Sequence, residues 1–280
     1  KALSSVVKTD VSSASEVLET VKTGLQSQKN DGYSLSEAYK ALSSVVKADV
    51  SLAPRVFDTF ETALKSEKNT SSLFGFGSLI TAYESLSSLV EADALLALEV
   101  LSAVNTGLRS NKNNRYCLGE AYKALSSVVK ADASLAPEVL ETLQIGLPKR
   151  DMLFNISDEN DSRSLEIAYK VLSDIVKENP SLVPEACDIF SCFLMSEKNN
   201  QDSWESACKV LSDIVKESPS AAPEVFEVFE TALRKGKYHE YDLGYACGVL
   251  SSVVKENPSL VPEVRETMKN ILQPDDYNET

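Results

Sequence analysis

The chain has 280 residues, a formal net charge of −14 and a pI near 4.7, and an acidic surplus of this kind argues against nucleic acid as a partner, because phosphate recognition draws on clustered Lys and Arg. Hydrophobic residues at 43% and charged residues at 25% are ordinary for a chain that buries a core, and no apolar stretch approaches the roughly 18 residues of a membrane helix. The five cysteines, Cys117, Cys187, Cys192, Cys208 and Cys247, show no CxxC spacing, which suits thiols in a reducing, cytoplasmic setting; secretion into a host cytosol is the alternative.

The sequence opens on Lys1-Ala2-Leu3-Ser4-Ser5-Val6-Val7, and this phrase returns along the whole chain. Its leucine stands at Leu3, Leu42, Leu86, Leu125, Leu172, Leu211 and Leu250, with spacings of 39, 44, 39, 47, 39 and 39. A valine four residues on and a leucine 22 on are invariant across the seven copies. The repeats run approximately over 1–30, 31–70, 71–113, 114–150, 151–200, 201–237 and 238–280, and together they predict one repeat domain over 1–280. The opening phrase stands mid-repeat elsewhere, as expected of a fragment of a longer polypeptide.

Each repeat predicts two helices. In the second copy Leu35, Ala38, Tyr39, Leu42, Val45 and Val46 keep the three-and-four spacing of one helical face, which is helix A. Val56, Phe57, Phe60, Ala63 and Leu64 do the same after a break, with Arg55, Asp58, Thr59, Glu61 and Lys65 opposite, which is helix B. The break contains Ser51-Leu52-Ala53-Pro54, and in later copies Asn179-Pro180-Ser181-Leu182-Val183-Pro184. Proline is tolerated in a first helical turn and Ser or Asn before it can cap free amides, so each proline group marks a helix B start. Residues 37–56 and 120–139 agree at 18 of 20 positions, as expected of an array grown by duplication.

Two amphipathic helices, a period near 40 and the Pro223-Glu224-Val225 opening of a second helix resemble the HEAT and armadillo class of helical repeats. The period does not suit the tetratricopeptide class, at about 34 residues. The resemblance implies an all-α fold, a right-handed α-solenoid of seven two-helix repeats with helix B lining a concave surface. A lone hairpin cannot bury its apolar face, so stacked neighbours would have to cover it.

Candidate partner contacts fall in two places. The extra residues before Leu86 and Leu172 lie between helix B and the next helix A, and these loops carry Leu73, Phe74 and Phe76, then Met152, Leu153, Phe154 and Ile156. Repeat insertions often decorate a binding face, although apolar loop residues can equally tuck back into a gap of the stack. Helix B also carries acids, among them Glu138, Glu141 and Glu227, whereas helix A carries lysines such as Lys47 and Lys130. If helix B lines a groove, that groove is acidic and favours a basic segment of a partner; the same charges could instead be solvated faces that complement helix dipoles.

Catalytic, metal and cofactor readings find little footing. The only histidine is His239, with no second ligand at a metal spacing. Gly75-Phe76-Gly77 lacks the Lys and Ser/Thr of a phosphate loop. Trp204 takes the place of Leu35, Leu79 and Leu118, a core position, and Cys208 and Cys247 stand where other copies have tyrosine, so structural roles are expected. The expected function is therefore a non-catalytic protein- or peptide-binding scaffold that needs no cofactor, nucleic acid or membrane. The alternative is a structural spacer or arm of a larger protein, possibly a microbial effector, whose activity lies elsewhere.

Overall fold

The structure, a computed structural model, describes residues 2–26, 32–65, 75–110, 117–146, 159–194, 201–235 and 240–272. Among these the chain is all-helical, with fourteen α-helices and no strand. They are α1 (Ala2–Thr9), α2 (Ala14–Gln26), α3 (Gly32–Ala48), α4 (Ala53–Leu64), α5 (Gly75–Ala92), α6 (Ala97–Ser110) and α7 (Leu118–Ala131). After them come α8 (Ala136–Gly146), α9 (Glu159–Glu178), α10 (Val183–Leu194), α11 (Gln201–Glu217), α12 (Ala222–Lys235), α13 (Glu240–Glu256) and α14 (Val261–Leu272). Odd-numbered helices are the A helices of the sequence and even-numbered ones the B helices.

Every corner from A to B runs through a 3-10 turn, and five of the seven are capped in the same way. The last amide of helix A belongs to an extended residue such as Asp49, whose N–H donates to the Val45 carbonyl at 2.9 Å. The Asp49 side chain then accepts from the Ser51 N–H at 3.0 Å and the Ser51 hydroxyl at 2.6 Å. A 3-10 turn, Val50–Leu52, leads straight into α4. Asp10, Asp93, Asp132 and Asn257 repeat the cap on their own turns, which satisfies amides that a helix start leaves open. In the aspartate corners the cap is thus the residue two before the serine that the sequence pattern suggested, and that serine is a donor to it; Asn257 caps as the pattern suggested, whereas Asn179 and Ser218 cap no amide. Pro54 sits second in α4, where a missing N–H costs little.

The chain divides into two compact units, Lys1–Pro148 and Lys149–Thr280. In the first, α1, α3, α5 and α7 pack each on the next, and so do α2, α4, α6 and α8. In the second, α9, α11 and α13 form one such series and α10, α12 and α14 the other. Polar contacts between neighbouring A helices keep one register in both units. Ser43 Oγ lies 3.2 Å from Ser88 Oγ and Ser87 Oγ 2.8 Å from Ser127 Oγ, while Lys177 pairs with Glu217 at 3.2 Å and the Tyr245 hydroxyl donates to Glu205 at 2.6 Å. Counted from the repeat leucine, each pair joins a position to the one after it on the neighbour.

The core lies along these series. Leu42, Leu86, Leu125, Leu172 and Leu211 are fully buried, each contributing on the order of 1.5–3 kcal/mol. The position three before the leucine places Tyr39, Tyr83, Tyr122 and Tyr169 in the core, and helix B adapts to the ring. Tyr39 stacks on Phe60 at 5.5 Å and Tyr169 on Phe190 at 5.4 Å. Where helix B has Val104 or Leu143 instead of phenylalanine, the tyrosine tip reaches Gly107 or Gly146, and a Cβ on Gly146 would stand 2.6 Å from the Tyr122 hydroxyl. In the sixth copy, where Cys208 replaces tyrosine, Trp204 packs on Phe229 at 5.7 Å.

Three expectations change. Thr59 is buried rather than on the polar face of helix B, with its hydroxyl donating to the Arg55 carbonyl one turn back at 2.8 Å. Gly75, Phe76 and Gly77 belong to α5 rather than to a loop, because Leu79, Ala82, Tyr83 and Leu86 are all buried and anchor a helix whose first turn has unpaired amides in any case. Likewise α9 already begins at Glu159, so part of the extra length before Leu172 is helix. Cys208 is buried, but Cys247, at the same repeat position on α13, is exposed, so a packing role is not shared by the two.

Candidate functional site: the helix B surfaces

Leu73, Phe74, Met152, Leu153, Phe154 and Ile156 lie outside the described residues, and so does His239. Phe76 is in the first turn of α5, with its side chain outside the description. The acids of the candidate set are placed. Glu138 and Glu141 are both exposed on α8, nearly one turn apart, and Glu227 is exposed on α12 in the other unit. The first two share a face because residues three apart are neighbours on a helix.

These acids do not stand in an unbroken negative field. Arg109 of α6 pairs with Glu141 at 3.7 Å and donates from Nε to Asn105 at 2.7 Å. Arg55 of α4 reaches Glu19 of α2 at 2.6 Å. In the second unit Arg234 pairs with Glu230 at 2.9 Å, and Glu230 also accepts from the Thr267 hydroxyl of α14 at 2.7 Å. Exposed pairs of this kind contribute about 0–1 kcal/mol each; Arg109–Glu141 and Arg55–Glu19 join adjacent B helices, whereas Arg234–Glu230 lies within α12. A groove of about 300 Å³ between α2 and α4 is lined by Leu18, Glu19, Lys22, Pro54, Arg55 and Asp58. Its charge is mixed, with two acids and two bases.

The titratable groups buried in the core are poor reagents. Burial pushes the Cys117 thiol up to about 12. Burial, and then the charges of Glu224 and Asp188, pushes Cys187 up to about 12. Such thiols stay protonated at neutral pH and make weak nucleophiles. Outside the core, the half-buried Glu166 on α9 is raised by partial burial and by Asp202 of α11, against a smaller lowering from Arg163. Among the described residues no group of three or more His, Cys, Asp and Glu side chains is placed to hold a metal ion, and no helix is long and apolar enough to cross a membrane.

The sequence pattern drew attention to the B-to-A loops and the helix B acids. It passed over the opposite, A-to-B edge, where the third corner exposes Leu95 and Leu98. The available signal was Leu95 in a position that holds serine in the other six copies. No family model matches this chain, and no curated protein or solved structure matches it either.

Proposed function

We propose that the chain is a non-catalytic protein- or peptide-binding scaffold of the HEAT-like, right-handed α-solenoid class, with four two-helix repeats in the first unit and three in the second. The observation that carries this reading is the repetition of surface: the same helix faces and corners recur unit after unit, whereas catalysis needs unlike residues gathered at one point. Parallel stacking of A on A and B on B in each unit supports the repeat class, in which stacked units present extended binding surfaces. The partner is a protein or peptide with a basic segment, received by the exposed acids Glu138, Glu141 and Glu227, by Phe76 at the start of α5 and by the apolar residues Phe74 and Phe154 of the connecting segments, in a cytoplasmic setting.

The test is affinity capture followed by mass spectrometry, with two variants compared to the unaltered chain: Glu138→Lys/Glu141→Lys/Glu227→Lys, and Phe74→Ser/Phe76→Ser/Phe154→Ser. A defined partner lost by at least one variant at unchanged circular dichroism is the expected result. Capture no greater than that of an empty support, or capture that neither variant weakens, rules the scaffold reading out.

A further inference from the structure

The seven A-to-B corners all pass through a 3-10 turn, yet the third departs from the others at three surface positions together. Five residues after the repeat leucine every other copy has lysine, as in Lys47 and Lys130 on either side; the third has Glu91. Nine residues after it every other copy has serine; the third has Leu95. Twelve after it the others have proline or, once, serine; the third has Leu98. All three side chains are exposed, Leu95 by 86% and Leu98 by 60%.

The corner itself requires none of these changes. Asp93 accepts from the Leu95 N–H at 3.0 Å, the same bond that Asp49 makes with Ser51. A serine would add the hydroxyl bond of 2.6 Å seen at Ser51 and Ser134. Leu98 is second in α6, the place that Pro54 fills in α4. The apolar side chain that the corner does bury is Leu96. Two leucines have therefore replaced residues that suit the fold at least as well, and their apolar area lies in solvent, where it contributes nothing to the core.

Charge indicates what would cover them. No Lys or Arg occurs from residue 69 to residue 108, whereas Glu84, Glu91, Asp93 and Glu99 all lie in that span. Glu91 is exposed beside the leucines, with Asp93 and Glu99 half-buried in the same corner; the flanking corners add the exposed Lys47 and Lys130 together with Asp49 and Asp132, so acids outnumber bases around the leucines. Val50, in the corner of the pair that packs alongside, adds apolar surface at 53% exposure. We infer that the corner between α5 and α6 docks a protein segment that offers an apolar anchor to Leu95 and Leu98 and carries Lys or Arg beside it. An anionic membrane, the other surface that accepts exposed leucine, is repelled by the same acids. The inference rests on the scaffold reading above but places a contact at the A-to-B corner, at the end of the helices opposite the B-to-A connections that carry Phe74 and Phe154, with Glu138 of that reading in the first turn of α8 at the corner end.

The test installs the residues of the sister corners. A random peptide library displayed on phage is panned on the unaltered chain and counter-panned on Glu91→Lys/Leu95→Ser/Leu98→Pro. Peptides enriched in apolar residues flanked by Lys or Arg, binding the triple variant at least tenfold more weakly in anisotropy titrations, are expected. The variant's thermal midpoint should be equal or higher, because serine and proline suit this corner; a lower midpoint would mean that the leucines serve the fold and would overturn the inference. So would the absence of enrichment, enrichment of acidic peptides, or Leu95-dependent sedimentation with phosphatidylserine vesicles. Peptides that bind the corner variant normally but lose the Glu138→Lys/Glu141→Lys/Glu227→Lys variant would overturn this inference and leave the scaffold reading standing.

Discussion

The hydroxyl of Tyr83 on α5 lies directly over Gly107 on α6, so close that a Cβ at that glycine would overlap it. Tyr83 is fully buried and its hydroxyl has no hydrogen-bond partner among the described residues; burial, then Cys117 and Tyr39, holds the phenol well above its usual range. Gly107→Ala should lower stability by about 1–3 kcal/mol through overpacking, less the fraction of a kcal/mol that alanine gains in a helix. Tyr83→Phe should be neutral or mildly stabilising, because it removes an unsatisfied buried group, and the double variant should recover part of the Gly107→Ala loss. Urea unfolding of the four proteins checks this, and additivity of the two single effects would refute the contact.

The same repeat position in the first copy makes the opposite case. Gly24 sits in α2 with nothing within 4 Å of an added Cβ. Gly24→Ala should therefore stabilise the chain, by about 0.5–1 kcal/mol, from backbone entropy alone. A loss in the thermal melt would show that this glycine is not interchangeable.

The corner caps should carry measurable stability. Asp49→Ala is expected to cost about 1 kcal/mol, as for other lost caps. Asp132 provides the pH signature. The hydroxyl and then the amide of Ser134 hold its carboxyl below the ordinary range, so its contribution is present above the unfolded pKa, about 3.9, and is lost as pH falls through the lower folded value. The stability gap between the unaltered chain and Asp132→Ala should accordingly be full at pH 7 and close in acid below about pH 4.

Glu166 should behave in the reverse sense. Its folded pKa is raised, by burial first and Asp202 second, so the ionised form carries a penalty above that pKa that disappears as pH falls below the unfolded value, about 4.3. Glu166→Gln should raise the melting temperature at pH 7 and make no difference near pH 4. A variant less stable at pH 7 would mean that Glu166 is held by attractive rather than repulsive neighbours.

The cysteines should separate by accessibility. Cys192 and Cys247 are exposed, whereas Cys117, Cys187 and Cys208 are buried. A disulfide reagent such as Ellman's should titrate two thiols at once and the remaining three only on unfolding. Prompt reaction of Cys187, followed by peptide mapping, would contradict the packing around α10.

Much of this was legible in the residues, for a physical reason. Leu42 and its counterparts are needed by every unit in the same place, so helix period, helix pairing and proline position repeat until they cannot be missed. The Asp49 cap escaped notice because Ser51 and Pro54 carry the familiar signs of a helix start, whereas the residue that ends helix A and opens the corner is a single aspartate shared between the two. Gly75 and Gly77 suggested a loop by propensity, and the buried run from Leu79 to Leu86 overrode them. Leu95 and Leu98 were hard to see because they are apolar residues beside an apolar helix; only the burial of Leu96 between them shows which leucine belongs to the core.

The fixed length from each repeat leucine through its corner to the end of helix B has a genetic consequence. Residues 37–56 and 120–139 are nearly the same peptide, so recombination between their coding segments, which lie 120 − 37 = 83 residues apart, would excise two whole units and rejoin α3 to α7 without disturbing a single corner. Gene variants of this protein should therefore differ by whole helix pairs, and an allele shortened in this way would lose Leu95 and Leu98 while keeping a foldable array.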